Sequence, residues 1–384
     1  MAPEFSKEQL MIQKTAREFA RKDLALYAAE RDKTHTFPRE SLEKMGELGF
    51  MGMLVSEKYH GGAFGTVAYS LALTEVAYAC ASTAVVMSVH NSICCGSLEK
   101  FGNEAQKEEF LKPMAEGRMI AAFALTEPEA GSDPQAMVCR AVKEGDHYII
   151  NGVKRFISTG KNASVIILLA RTQETGTKGI SAFLITPDLP GFSVGRIEEK
   201  MGQCASDTTD LLFNDCRVPA SRLLGDEGAG FTIAMSGLDD GRIGVASLAL
   251  GIAQAALDES IGYSRKRKQF GQSISEFQGM RWMVADMAME VEAARLMVLN
   301  AAAVKESGKK CTKEASMAKC YASEVANRVT GQAVQIHGGY GYIKEYPVER
   351  FYRDARITTI YEGTNQIQRV IIANEIFKDK KKRG

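Results

Sequence analysis

Tyr148-Ile149-Ile150-Asn151-Gly152-Val153-Lys154-Arg155-Phe156-Ile157 is the stretch on which the fold turns. Two short runs rich in β-branched and aromatic residues flank an Asn-Gly pair. That dipeptide best supplies positive φ at both centres of a type I′ turn, so the stretch predicts a β-hairpin. Apolar runs at residues 165–170, 180–185 and 211–213 continue the series between turn residues. Their spacing predicts a compact antiparallel β domain over residues 121–225.

On both sides of that region the pattern is helical. Leu10, Ile12, Ala16, Phe19, Ala20 and Leu24 recur near a 3.6 period among charged neighbours, which predicts an amphipathic helix over residues 9–30. Gly61, Gly62 and Gly65 punctuate the next segment. Residues 71–89 are alanine-rich and apolar on nearly every face, as a single helix inside a bundle would be. Beyond Gly230, the residues Ile243, Ala246, Leu250, Ala253, Leu257 and Ile261 form one stripe. Between residues 282 and 299 two stripes coexist, Trp282, Ala285, Met289, Ala293, Leu296 and Met283, Met287, Val291, Ala294, Val298. A helix so patterned is covered on both sides, in a four-helix bundle core or an oligomer interface. Val325, Val329, Ala333 and Ile336 lead to Gly338-Gly339, suited to a left-handed C-terminal cap. The expected fold is therefore mostly α with a central β domain. It divides into an N-terminal helical domain (1–120), a middle β domain (121–225) and a C-terminal helical bundle (226–384). The tail, Lys378-Asp379-Lys380-Lys381-Lys382-Arg383, reads as a solvated end, and no internal repeat is visible.

The 384 residues are 45% hydrophobic and 25% charged, which is globular composition and excludes stapled miniproteins and wholesale disorder. Forty-eight basic residues against 47 acidic ones leave +1. With no global field to attract a polyanion, nucleic acid is not an expected partner. The apolar runs at 119–125 and 165–170 fall short of the ~18 residues of a spanning helix, so no membrane association is expected. MAPEFSKEQL lacks a basic region followed by an apolar one. A bacterial cytoplasm, or a mitochondrial matrix for a processed chain, is the expected compartment. Cys80, Cys94, Cys95, Cys139, Cys204, Cys216, Cys311 and Cys320 form no C-x-x-C and read as reduced core residues, the Cys94-Cys95 pair included.

Common chemical motifs are missing. His35, His60, His90, His147 and His337 form no i, i+4 pair and no H-E-x-x-H, so no metal site is expected. There is no G-x-S-x-G elbow, no G-K-[ST] loop and no dinucleotide fingerprint. Gly225-Asp226-Glu227-Gly228-Ala229-Gly230 carries two acids that repel phosphate and reads as a turn before a helix. Three stretches are stranger than packing requires: Phe123-Ala124-Leu125-Thr126-Glu127-Pro128-Glu129-Ala130-Gly131-Ser132-Asp133, Gln335-Ile336-His337-Gly338-Gly339-Tyr340-Gly341-Tyr342, and Tyr361-Glu362-Gly363-Thr364-Asn365-Gln366. Each alone reads as a loop or cap. Alternatively, the glycines let a backbone approach a flat or phosphorylated ligand, and Glu362 serves as a general base.

Taken together with Asn151-Gly152, Leu238-Asp239-Asp240-Gly241-Arg242, Arg267-Lys268-Gln269-Phe270-Gly271 and Arg353-Asp354-Ala355, they resemble the acyl-CoA dehydrogenase family over essentially the whole chain, most closely its short-chain (butyryl-CoA) branch. The resemblance implies an N-terminal helical domain, a middle β domain and a C-terminal four-helix bundle. It implies FAD as cofactor, an acyl-CoA substrate and a place in fatty-acid β-oxidation. It also implies an electron-transfer flavoprotein as acceptor and a homotetramer built as a dimer of dimers. By resemblance, Phe123, Leu125, Thr126, Gly131 and Ser132 line the flavin side with Phe156, Ile157 and Ser158. Phe156 stands where relatives usually have Trp, which keeps an aromatic wall and loses the indole donor. Arg267, Phe270 and Gln278, with Gln335, Ile336, Gly338 and Gly339, correspond to the part that reaches the flavin of a neighbouring subunit. Thr364 and Gln366 complete the cofactor contacts, and Ser132, Asp239, Arg242 and Gly363 correspond to acyl-CoA contacts.

Glu362 is then the catalytic base that removes the α-proton of the thioester. Similar enzymes stabilise the enolate oxygen with the backbone N–H of that glutamate and a ribityl hydroxyl, and the β-hydride goes to flavin N5. Isovaleryl-CoA dehydrogenases place their base where this chain has Gly241. Glutaryl-CoA dehydrogenases carry an arginine in the segment matching Ala84 and Val85, and acyl-CoA oxidases are longer. These differences favour the short-chain branch. Ile93, Cys94 and Cys95 stand where similar short-chain enzymes have Leu-Tyr-Leu-like residues, predicting a smaller pocket wall. Straight acyl chains of four to six carbons are expected, a branched or alicyclic acyl-CoA is the alternative, and a catalytically silent helical scaffold is the reading from another class.

Overall fold

The computed structural model of the chain describes residues 4–174 and 176–378. The first helix, α1 (Lys7–Phe19), opens on a capping box in which the Ser6 side chain accepts from the Gln9 N–H. It continues through a wide π-helical turn (Ala20–Leu24) into α2 (Ala25–Thr34), so the predicted helix is present with one irregularity. After α3 (Arg39–Glu47) the all-apolar segment is two helices rather than one. α4 (Gly65–Ala79) and α5 (Ala81–Ser88) meet at Cys80, whose extended backbone (φ −153°) breaks the rod. Apolar periodicity carries no signal for such a break when every face is buried. A second π-helical turn (Val89–Cys95) leads to α6 (Gly96–Phe101), α7 (Glu104–Gln106) and α8 (Lys112–Ala115).

The sheet region contains β1 (Ala121–Ala124), β2 (Arg140–Glu144), β3 (His147–Ser158), β4 (Val165–Arg171), β5 (Ile180–Ile185), β6 (Phe192–Ile197), β7 (Thr208–Pro219) and β8 (Leu223–Leu224). Strand order is β6-β7-β3-β2-β4-β5-β8, with β1 also on β4. The antiparallel expectation fails at β1 beside β4 and at the Arg140 and Arg171 pairing, both parallel. β4 is a continuous apolar run because both of its faces are covered. Val165, Ile167 and Leu169 pack towards Leu98, Phe110 and Ile233, while Ile166, Leu168 and Ala170 pack towards Tyr148, Phe183 and Phe213.

The predicted hairpin turn at Asn151-Gly152 is incorrect. β3 runs straight through the pair, and the reversal lies at Gly145 (φ 62°), where Glu144 faces His147. Asn151-Gly152 instead marks a register shift against β7. There Asn151 clasps Asp215, donating from Nδ2 at 3.0 Å and accepting the Asp215 N–H at 2.8 Å. Gly152 (φ 147°) is needed because a Cβ would meet the Cys139 Cα at 2.8 Å. A dipeptide that tolerates positive φ serves a bulge as readily as a turn.

Residues 225–229 make the expected turn, in which Glu227 accepts from the Tyr148 hydroxyl at 2.7 Å. α9 (Gly230–Lys266), the small hairpin β9 (Lys268–Gln269) and β10 (Gln272–Ser273), α10 (Gln278–Glu306), α11 (Thr312–His337), α12 (Val348–Arg356) and α13 (Asn365–Phe377) complete the order. A single core joins α4 and α5 to α9, α10 and α11. On α10 only one predicted stripe is covered: Met287, Val291, Ala294 and Val298 are buried, whereas Trp282, Met289 and Leu296 are exposed, Trp282 by 61%. α11 ends at Gly338 with positive φ (59°) but ψ −136°, which is not the left-handed helical cap expected. All eight cysteines are buried and free. Residues 379–383 of the predicted solvated tail lie outside the described residues. Among those described, no helix is long and apolar enough to cross a membrane.

Candidate active site

Helix α9 presents Phe231, Met235, Leu238, Arg242 and Val245 to a cavity of about 330 Å³. Their spacing of four, three, four and three is one face of an α-helix. The opposite walls come from Val85, Ser88, Val89 and Ile93 of α5 and the π-helical turn, and from Ile367 and Ile371 of α13. The sheet contributes Phe123 of β1, Leu125 and Thr126 just after it, then Gly131 and Ser132, and Phe156, Ile157 and Ser158 of β3. Phe156 reaches this wall by a second register shift in β3, between Lys154 and Ile157, and has φ 57°. Of the three residues predicted to set the wall, Ile93 lines the cavity. Cys94 and Cys95 are fully buried and do not line it.

Glu362 closes one end of this space. Its carboxylate accepts no hydrogen bond, and its own N–H has no protein acceptor, among the described residues. The residue has φ 54°, a conformation that non-glycine side chains rarely adopt and that is held only when surrounding contacts over-determine it. Those contacts are present. Gln368 Nε2 donates at 3.0 Å to the carbonyls of both Glu362 and Gly363. Lys319 Nζ donates to the Gly363 carbonyl at 2.8 Å and to Asn365 Oδ1 at 3.0 Å. Thr364 caps α13 by accepting from the Ile367 N–H. Behind the loop, the Tyr361 hydroxyl accepts from Gln203 at 3.2 Å, and Gln203 is bonded through its backbone N–H to buried Asp354. Next to Asp354, Arg353 binds Asp32 of α2 at 2.7 Å. Elements from all three regions of the chain thus fix the Glu362 turn.

Burial pushes the Glu362 carboxyl up to about 7, against the opposing pull of Arg242 and Lys319. Arg242 is itself buried; Nη1 donates to Asp239 at 2.7 Å, while its Nε is buried without a partner. Asp239 also accepts from Thr312 at 2.7 Å and lies beside the cavity lining, where its bond to Arg242 orients the guanidinium. Gly241 is glycine because a Cβ would lie 3.0 Å from Glu362 Oε2 and 3.2 Å from Ile93 Cδ1. Gly241 and Glu362, the two positions the resemblance singles out for a base, thus lie side by side.

The segment after β1 is held from beneath by a buried ion pair. Lys154 Nζ lies 2.7 Å from Glu127 and also donates to the Leu125 carbonyl at 2.9 Å. Glu127 accepts from the N–H groups of Val138 and Cys139. The Arg155 N–H takes the Thr126 carbonyl at 2.8 Å. The N–H groups of Thr126 and Ser132, and the hydroxyls of Thr126, Ser132 and Ser158, have no partner among the described residues. A flat, largely apolar slot edged by free donors results.

The remaining expected residues lie apart. Arg267 sits over the Tyr340 ring (5.3 Å), Phe270 is 93% exposed at the tip of the β9 and β10 hairpin, and Gln278 starts α10. Gln335, Ile336, Gly338 and Gly339 end α11, where His337 stacks on Tyr263 (4.1 Å). None of these lines the cavity, and Gln366 is exposed on α13. Sequence reading assigns no role to Lys154, Glu127, Lys319 or Gln368. The signal for both lysines is a cation at an inward position of its element.

Three family models match in order: the acyl-CoA dehydrogenase N-terminal domain over residues 6–118, its middle domain over 122–216 and its C-terminal domain over 228–377. The chain is 47% identical over 374 residues to the short-chain specific acyl-CoA dehydrogenase of Clostridium acetobutylicum, covering 97% of this chain and 99% of that one. The chain belongs to the acyl-CoA dehydrogenase family. It is accordingly an oxidoreductase acting on CH–CH bonds. The butyryl-CoA dehydrogenase of Megasphaera elsdenii superposes with a TM-score of 0.96 at 44% identity, over 98% of this chain and all of that one. A chain solved in work on the electron transferring flavoprotein of Acidaminococcus fermentans superposes with a TM-score of 0.97 at 48% identity, over 99% of this chain and all of that one.

Proposed function

We propose that this acyl-CoA dehydrogenase uses FAD to oxidise straight acyl-CoA thioesters of four to six carbons to their trans-2-enoyl-CoA products, with Glu362 as the base and an electron-transfer flavoprotein as acceptor. The observation that carries the proposal is the Glu362 turn, which offers an unpartnered carboxylate and an unpartnered N–H to one cavity. The carboxylate takes the α-proton. The N–H meets the thioester oxygen, whose developing charge makes that hydrogen bond stronger in the transition state than in the ground state. Arg242 supplies a buried positive charge on the same wall.

The residues fit a flavin. Free N–H and hydroxyl groups of Thr126, Ser132 and Ser158 match the polar edge of an isoalloxazine ring, and Phe156 and Leu125 match its faces. FAD held by these residues would supply the acceptor for the β-hydride. The half-buried Arg267, the exposed Phe270 and Gln278 and the end of α11 lie off the cavity, which supports their service to the flavin of a neighbouring subunit. The open Trp282, Met289 and Leu296 stripe supports a homotetramer. Likeness to a chain studied with an electron transferring flavoprotein supports the acceptor. With only Ile93 of the three expected residues on the wall, no observation favours an alicyclic substrate over a straight one. A soluble bacterial setting fits the Clostridium relative.

Purified protein should be yellow and bleach anaerobically with butyryl-CoA. Comparison of kcat/KM for butyryl-, hexanoyl-, isobutyryl-, octanoyl- and cyclohexanecarboxyl-CoA tests the chain length. An optimum at octanoyl-CoA or at the cyclic thioester would overturn the assignment. A colourless protein that binds no flavin would return it to the scaffold reading.

A further inference from the structure

Lys319 is fully buried on α11, and no carboxylate lies within ion-pairing distance of it among the described residues. Burying an ammonium without a counter-ion costs several kcal/mol in a low-dielectric interior, so the position needs a reason. Its two acceptors are neutral: the Gly363 carbonyl at 2.8 Å and Asn365 Oδ1 at 3.0 Å. Neither explains a cation. The Gly363 carbonyl already receives Gln368 Nε2 at 3.0 Å, and Asn365 is also tied to Ser323. A neutral donor would satisfy both acceptors without the desolvation cost. Of the acids near enough to act on Lys319, Glu324 is engaged by Arg369 at 2.6 Å, which leaves Glu362.

We propose that Lys319 is a positioning residue for the dehydrogenation: its ammonium, through the Gly363 carbonyl, holds the Glu362 turn in its positive-φ conformation, and its buried charge sets the field in which the base works. The proposal rests on Glu362 being the base. Glu362 is faced by Arg242 from α9, Lys319 from α11, Cys94 from the π-helical turn and Tyr69 from α4, with Tyr361 beside it in the chain. Burial holds the thiol and both phenols well above their ordinary ranges, so they stay neutral, and Arg242 and Lys319 are the two cations of the set. Lys319 in turn faces Glu362, Glu324, Cys320 and Arg242, and burial brings it down to about 8.

The test uses FAD-loaded enzyme and the pH dependence of kcat/KM for butyryl-CoA. Lys319→Met keeps the volume and removes the charge. Its acid limb should move up by ~1 pH unit, the scale on which a nearby opposite charge acts. Gln368→Leu removes the other clamp on the same carbonyls without changing charge, and should lower kcat while leaving the acid limb in place. Lys319→Gln, a shorter neutral donor, should share the shift. An unmoved acid limb in Lys319→Met overturns the proposal, as does a shift of equal size in Gln368→Leu. If neither neutral variant is recovered as folded, flavin-loaded protein, Lys319 belongs to the scaffold and the proposal fails. Glu362→Gln run alongside separates the two levels: near wild-type flavin reduction in that variant refutes the base itself, whereas its inactivity beside an unshifted Lys319→Met profile refutes only the role of Lys319.

Discussion

The base should titrate where an ordinary glutamate does not. Burial lifts Glu362 from the usual 4.5 to about 7, and the carboxylate abstracts a proton only when ionised. With that value, about nine-tenths of the free enzyme carries the ionised base at pH 8 but only about one-tenth at pH 6 and about one-hundredth at pH 5. A glutamate at 4.5 would still be about three-quarters ionised at pH 5. The expected profile of kcat/KM for butyryl-CoA therefore falls ~10-fold from pH 8 to pH 6 and ~100-fold from pH 8 to pH 5. Anaerobic stopped-flow reduction of the flavin at subsaturating thioester measures it directly, after correction for any ionisation seen with pre-reduced controls. Glu362→Gln should lose ~10²- to 10⁴-fold in the same assay while still binding flavin and thioester. A profile flat between pH 5.5 and pH 8 would refute the reasoning, because it would mean that the carboxylate sits in water or is not the proton acceptor.

The same titration has a stability counterpart. Between 4.5 and about 7 the folded protein keeps a proton that the unfolded chain releases, so stability falls as pH rises through that window, by at most about 3 kcal/mol and by less because the cavity admits water. Glu362→Gln should escape this loss, and urea midpoints at pH 5.5 and pH 8 should show the variant gaining on wild type at the higher pH. Lys154→Met strands the Glu127 carboxylate in the interior and should cost ~3–5 kcal/mol by urea denaturation and weaken flavin retention. Adding Glu127→Leu should restore only part of this, since the Val138 and Cys139 N–H groups then lack an acceptor. Gly241→Ala should leave thermal stability within about 1 kcal/mol. Its Cβ, 3.0 Å from Glu362 Oε2, should displace the base and lower kcat/KM by roughly 10-fold or more, as steady-state assay with butyryl-CoA will reveal.

What the sequence conveyed depended on whether a pattern had two faces. The buried stripe of α10 was legible because its apolar residues recur at helical spacing against polar neighbours, and α9 from the same spacing although residues 241–253 are buried on every face. β4 and β5 were legible as uninterrupted apolar runs. Cys80 was not, since a break inside an all-apolar segment leaves the pattern unchanged. Asn151-Gly152 was misread because local preference for positive φ does not distinguish a chain reversal from a bulge in a long strand. Glu362 stood out only in company with other motifs: a glutamate in a loop has no periodicity. Its supports were invisible for a different reason. Lys154 and Lys319 occupy inward positions, yet a lysine ordinarily counts as evidence for an outward one, and each also donates to a backbone carbonyl that no residue type announces.

The π-helical turn from Val89 to Cys95 has a consequence for how this pocket can change over time. Its closing bond runs five residues back, from the Gly96 N–H to the Asn91 carbonyl, so the segment is an α-helix carrying surplus chain. Asn91 pins it from outside by bonding the Phe50 carbonyl and the Met53 N–H. Buried helices normally reject insertions and deletions, because everything downstream would rotate out of register. Here the surplus is already absorbed, and the flanking helices keep their seats with or without it. Loss of one residue would tighten the segment into ordinary helix and reassign which side chains face the cavity. The shape of the cavity is thus open to a change in chain length, a route that substitution of one wall residue for another does not offer.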